Sequence, residues 1–123
     1  MAKSVSDAVL DAALAKIATA TRMVACSGEP ANFAGIAAVA LADVVMTPGD
    51  GNDFNIANGD TSGRKVTTVQ KTGVTVDSSG TATHVSLDDG SALLYVTTCT
   101  SQALTSGNTM TFNAWKVEIG DPS

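Results

Sequence analysis

Ala82-Thr83-His84-Val85-Ser86-Leu87-Asp88-Asp89-Gly90-Ser91-Ala92-Leu93-Leu94-Tyr95-Val96-Thr97-Thr98 is the stretch whose reading decides the fold. Two β-prone runs, 82–87 and 93–98, flank Asp88-Asp89-Gly90. An Asp-Gly step between such runs is a hairpin signal, because glycine supplies the positive φ that a tight turn demands. The second run pairs naturally with the first.

The same grammar continues outward in both directions. Thr109-Met110-Thr111-Phe112 and Trp115-Lys116-Val117-Glu118-Ile119 are β-rich, and Gly120-Asp121-Pro122 stops them. Upstream, Arg64 to Thr72 alternates, Gly73 marks a turn or bulge, and Val74-Thr75-Val76 runs into Asp77-Ser78-Ser79-Gly80. Phe54-Asn55-Ile56-Ala57 is a short strand closed by Asn58-Gly59-Asp60, and Thr47 to Asp53 is a loop by composition. Thr21 to Cys26 alternates as a strand and Ser27-Gly28-Glu29-Pro30 breaks it. Residues 31–46 read either as a helical stripe (Phe33, Ile36, Ala37, Ala40, Leu41, Val44) or as an extended run over 38–46. The expectation there is a short turn-rich segment followed by a strand. Turn signals recurring every ~8–12 residues are the mark of a sandwich or small barrel.

The first twenty residues differ. Val9, Ala13, Ile17 and Ala20 form one stripe at helical spacing, and Leu10, Leu14 and Ala18 a second beside it. Ser4 as N-cap with Asp7 three residues on predicts the helix start. The expected architecture is mainly β: a small antiparallel β-sandwich, immunoglobulin-like or jelly-roll-like, preceded by one N-terminal amphipathic helix. Residues 1–20 are the helix and 21–123 the sandwich. The apolar face Val9, Leu10, Ala13, Leu14 and Ile17 is wider than a small sandwich needs, so it is expected to anchor the chain on neighbouring subunits. Deleting 1–20 is then expected to leave a folded domain.

Composition narrows the function. The chain has 123 residues and a net charge of −5, from 7 basic and 12 acidic side chains. Only Arg64-Lys65 are adjacent bases, so no clustered basic face exists to displace counterions from nucleic acid or to bind an anionic membrane. No apolar run approaches the ~20 residues that span a bilayer. Asp7 and Asp11 interrupt the first apolar stretch, which removes the pattern of a secretory signal. The chain is expected to be made in the cytoplasm. Cys26 and Cys99 are too far apart for a CxxC pattern and sit among β-formers, so both are expected to be buried thiols.

Little catalytic chemistry is visible. His84 is the single histidine. Ser86 shares its strand face, but at i+2 the Cα atoms are about 7 Å apart and no nucleophile elbow surrounds them. Counting an EF-hand loop from Asp50 puts Phe54 and Asn55 where a ligand and a glycine belong, so that match fails. Neither a phosphate-loop nor a dinucleotide motif follows Gly49 and Gly51. No catalytic, metal or cofactor residue is expected. Trp115 reads as core or interface, with an indole N–H that needs a partner when buried. The loops carrying Asp50, Asn52, Asp53, Asp88 and Asp89 are expected to be exposed binding loops.

Several segments together resemble small proteins encoded in the structural gene clusters of tailed bacteriophages and prophages. They are 20–30 (ATRMVACSGEP), 59–67 (GDTSGRKVT), 80–87 (GTATHVSL), 97–109 (TTCTSQALTSGNT) and 115–122 (WKVEIGDP). Gly51-Asn52-Asp53 lengthens the first β loop relative to that pattern. The resemblance implies a non-enzymatic virion component, tail or tail-fibre associated. It would assemble with copies of itself and with other virion proteins. The alternatives are a capsid decoration or cement protein, a module that binds a host-surface glycan or protein, and, more remotely, a hydrolase using His84.

Overall fold

The computed structural model describes residues 5–120. Strand takes 49% of the described residues and helix 16%, so the mainly β architecture with one N-terminal helix holds. In chain order the elements are α1 (Asp7–Ile17), β1 (Arg22–Cys26), a 3-10 turn (Phe33–Gly35) running into one turn of α2 (Ile36–Val39), β2 (Ala40–Val45), β3 (Phe54–Asn58), β4 (Arg64–Thr68), β5 (Lys71–Thr75), β6 (Gly80–Asp88), β7 (Leu93–Leu104), β8 (Thr109–Phe112) and β9 (Lys116–Ile119).

One layer is the antiparallel sheet β2-β1-β6-β7. The β6–β7 pair is the hairpin expected around Asp88-Asp89-Gly90, and Gly90 takes φ +89°. The facing layer is split into β3-β4-β9 and β5-β8, but one register runs through both. Arg64 faces Ile119 and Thr67 faces Lys116; Lys71 faces Phe112. Each pair fits the same residue offset, so β4–β5 and β9–β8 are two legs of one ribbon bent at 68–70 and 113–115. Thr68 holds the bend: its N–H donates to Trp115 O (2.8 Å), and its Oγ1 accepts from Trp115 N–H (3.2 Å). The stretch Arg64 to Thr72, read as one alternating strand, is thus cut in two without losing register. Beyond it the pairing shifts between Lys71 and Val74, where Gly73 sits at φ +65° and forms the anticipated bulge. The four-on-three count is that of immunoglobulin-like sandwiches, in a strand order of its own.

The core lies between the layers. Met23 and Ala25 of β1 and Val85 and Leu87 of β6 meet Phe54, Val66, Val74, Phe112 and Val117 from the other side. β1 is buried on both faces, because Val24 and Cys26 point outward into a second cluster with Ile36, covered by Phe33 and Val39. The ambiguous 31–46 region resolves accordingly. Asn32 caps the short helical turns through Gly35 N–H (2.9 Å), those turns roof the outer face of β1, and β2 follows.

The helix is built into this core. Ser6, not Ser4, is its N-cap, accepting from Ala8 N–H; Ser4 lies outside the described residues. Leu10, Leu14 and Ala18 are buried, and Asp11 pairs with Arg64 of β4 through both carboxylate oxygens (2.7 and 3.3 Å). The expected anchor face therefore divides. Leu10 and Leu14 are spent on the chain's own interior, and Ile17 packs half-buried against it. Val9, 60% exposed, and Ala13 remain outside. The width of the apolar stripe is explained by a helix sunk into its own sandwich, so deletion of 1–20 would open the core rather than release an anchor.

That packing sets a measurable contrast. Leu14→Ala should cost about 2–5 kcal/mol of unfolding free energy, as buried leucine truncations do, while Val9→Ala should stay within about 0.5 kcal/mol. Urea denaturation followed by circular dichroism distinguishes the two.

Candidate functional site

A sandwich made of open sheets must dispose of the unpaired N–H and C=O groups along its outermost strands. Most of these edges are capped by the chain itself. On β2, Leu41 O accepts from both Asp77 N–H (2.8 Å) and Ser78 N–H (3.1 Å), and Ala42 bridges to Val76. On β3, the preceding loop folds back: Gly51 N–H donates to Phe54 O (2.8 Å) and Asp50 Oδ1 accepts from Ile56 N–H (2.9 Å). The β8–β9 leg is short, interrupted at 113–115, and carries Lys116 and Glu118. Charges and brevity blunt an edge in the same way.

β7 is the exception. It runs for 12 residues at the end of its sheet, and its residues from Thr98 to Ala103 are exposed. Among the described residues no loop backbone caps its outer side. No charged residue occurs anywhere from Gly90 to Trp115. Between Thr98 and Gln102 the pairing with β6 skips, so Cys99, Thr100 and Ser101 leave the straight path as a bulge. Leu93 to Thr98 is the more regular half, its pairing with β6 slipping only beside Leu94.

A groove of about 490 Å³ opens between β7 and the β8–β9 leg. Its floor is Ala25, Ala82, Val85, Leu104 and Phe112, core residues reached from the side; its rim is Thr97, Thr100, Gln102, Thr111 and Asn113. Trp115 forms one wall. Its ring stacks on Tyr95 at 5.9 Å between centroids, and its Nε1–H donates to Met23 Sδ at 3.3 Å. The indole thus has the partner its burial requires. The groove combines an apolar floor with a hydroxyl and amide rim, and Lys116 adds one cation to its lining.

Of the residues expected in exposed loops, Asp50 and Asn52 are exposed, Asp53 and Asp89 are half-buried and Asp88 is buried, and each makes a hydrogen bond to nearby backbone. Asp50 caps Ile56. Asn52 donates through Nδ2 to Pro48 O (2.8 Å). Asp53 accepts from Thr47 N–H (2.7 Å) and pairs with Lys71 (2.8 Å). Asp88 is not exposed at all: at 1% exposure it pairs with Arg22 Nε (2.9 Å) and accepts from Gly90 N–H. Asp89 accepts from Ser91 and Ala92 N–H, which locks the hairpin turn. These carboxylates are turn acceptors, the role for which aspartate is favoured in such positions.

The other singled-out side chains are placed as follows. His84 is half-buried, with Nδ1 2.9 Å from Thr83 Oγ1. Ser86 is fully buried beside Cys26 Sγ (3.8 Å). Both cysteines are free; Cys26 is buried as expected, while Cys99 is exposed on the β7 bulge. Burial raises the Cys26 thiol pKa against the lowering effect of Ser86, and partial burial raises that of Cys99. Among the described residues no group of three or more His, Cys, Asp or Glu is placed to hold a metal ion. No helix of the described residues is long and apolar enough to cross a membrane.

From local pattern this strand ends at Thr98; in the structure it continues through Cys99 to Leu104, half of the edge. Thr100 and the neighbouring small polar residues were the available signal, but strand propensity there depends on context. Against known proteins, no family model, no curated protein and no solved structure matches this chain.

Asp53 and Asp43 give the molecule opposing responses to acid. Partial burial alone would raise Asp53, but hydrogen bonds from Lys71 and Thr47 outweigh it and hold the carboxyl below its ordinary value. Its contribution to stability is present above the ordinary carboxylate range and is lost as pH falls through the lowered folded value. Burial, then a hydrogen bond and like charge from Asp77, raise Asp43 against the pull of Arg22. Its contribution is present at low pH and fades as pH rises through that raised value. Asp53→Asn should therefore flatten the acid-side fall in melting temperature, and Asp43→Asn should reduce the opposing gain. Thermal melts between neutral and strongly acidic pH check both.

Proposed function

We propose that this protein is a non-catalytic structural module that acts by assembly. Copies pack against one another and against a larger scaffold, as a tail or tail-fibre component of a tailed-phage particle does. The observation that carries the reading is the β7 edge, long and free of charge in a chain that caps or shortens its other edges. The use of its acidic side chains supports it too, since Asp50, Asp53, Asp88 and Asp89 are engaged in holding turns and strands. The phage setting rests on the sequence segments that resemble such proteins; assembly rests on the edge.

The physical basis is cooperative. Apolar surface taken from water contributes about 25 cal/mol per Å², but ordering two chains costs several kcal/mol, so one small contact is weak. Repetition in a particle raises the effective concentration of every further contact and offsets that weakness. A module of this kind needs a rigid body and one edge open to a neighbour.

Size-exclusion chromatography with light scattering tests the reading directly. The expected result is a defined oligomer that persists on dilution, with the chain also present in particles purified from a host carrying its gene. A strict monomer at every concentration, absent from such particles, would overturn it.

A further inference from the structure

We infer that the occupant of the β7 edge is a second copy of β7, running antiparallel about a twofold axis. The inference rests on the assembly reading above and names its surface. The regular half of the strand, Leu93–Thr98, lies opposite itself about Val96, which meets Val96 of the other copy, with Tyr95 opposite Thr97 on the inner face.

Three observations select this occupant. The first is chemical: an antiparallel strand edge presents donors and acceptors in an order that its own twofold copy completes, so each outward N–H finds a C=O. The second is charge. A partner copy brings another net −5, and like charges brought together oppose association. The segment Gly90–Trp115 contributes none of that charge, so the two copies meet where both are neutral. The third is the self-capping described above. The chain covers β2 through Val76–Ser78 and β3 through Asp50 and Gly51, which leaves β7 as the long edge open to pairing.

The bulge fits the same arrangement. By leaving the straight path at Cys99–Ser101, the strand limits pairing to Leu93–Thr98 and fixes the register that a featureless edge would let slip. Val96 alternates to the outer face of the sheet and belongs to neither core cluster. In the dimer it gains cover beside the axis. The product is one sheet continuous across two molecules, ordered β2-β1-β6-β7 and then the mirror order in the second copy.

Edge lysines provide the test, because they disfavour strand pairing between like chains. Val96→Lys puts two ammonium groups beside the axis, and Thr98→Lys puts one at each end of the paired segment on an already exposed site. Val45→Lys, at a position 77% exposed on the capped β2 edge, is the control. Light scattering and sedimentation of the full chain, with circular dichroism to confirm folding, should show that Val96→Lys and Thr98→Lys raise the dissociation midpoint about tenfold or more. Val45→Lys should leave it unchanged. A wild-type oligomer that survives both β7 substitutions overturns this interface while assembly itself stands, and equal weakening by Val45→Lys overturns it as well. A wild-type chain that never associates removes the assembly reading instead.

Discussion

Backbone hydrogen bonding at strand edges is the constraint on which the rest of this structure depends. Each strand in a sandwich carries two rows of polar groups, and a strand at the margin of its sheet has a partner for one row only. Water can satisfy the other row, but such an edge also templates pairing with another chain. This molecule treats its margins unequally. The loop before β3 folds back so that a carboxylate and an amide replace the missing strand. The turn after β5 does the same for β2. Among the described residues no loop backbone caps β7, and its own segment carries no charge.

The same economy governs burial. β1 is covered on one face by the second layer and on the other by the short helical turns at 33–39, so the alternation expected of Thr21 to Cys26 gives way to burial of every residue from Met23 to Cys26. Arg22 and Asp88 sit on the outer face of β1 and β6, paired with each other across the strands. Asp88 is buried with its partners supplied, which keeps a desolvated carboxylate from becoming a liability. On the other layer, the bend in the β4–β5 ribbon is held by Thr68, whose hydroxyl accepts the N–H that a straight ladder would have satisfied. Residues 113–115 at that bend line the groove beside β7.

Much of the fold was legible in the sequence, and for identifiable reasons. The Asp88-Asp89-Gly90 turn, the break at Gly73 and the presence of an N-terminal helix each follow from local chemistry: a positive φ that glycine accepts, or an apolar stripe at helical spacing. The candidate site was much less legible. The acidic loops looked like binding surface because aspartate and asparagine are polar. In the folded chain their oxygens and amides are committed to backbone groups brought close only by folding, as when Asp53 meets Thr47 and Lys71. The apolar helix face looked like an anchor because its width exceeded the need of a thin core. It is instead sunk into that core through Leu10, Leu14 and Ala18.

Sequence alone determined the mainly β class, the single N-terminal helix, the positions of most turns and the neutrality of the segment from Gly90 to Trp115. These are properties of neighbouring residues, fixed by dihedral preference, side-chain period and charge. Tertiary structure alone decided the strand order, which faces of β1 were covered, which carboxylates were consumed and which edge was left without a partner. Whether a strand lies at the margin of a sheet depends on pairings between residues far apart in the chain, and no local pattern carries that information.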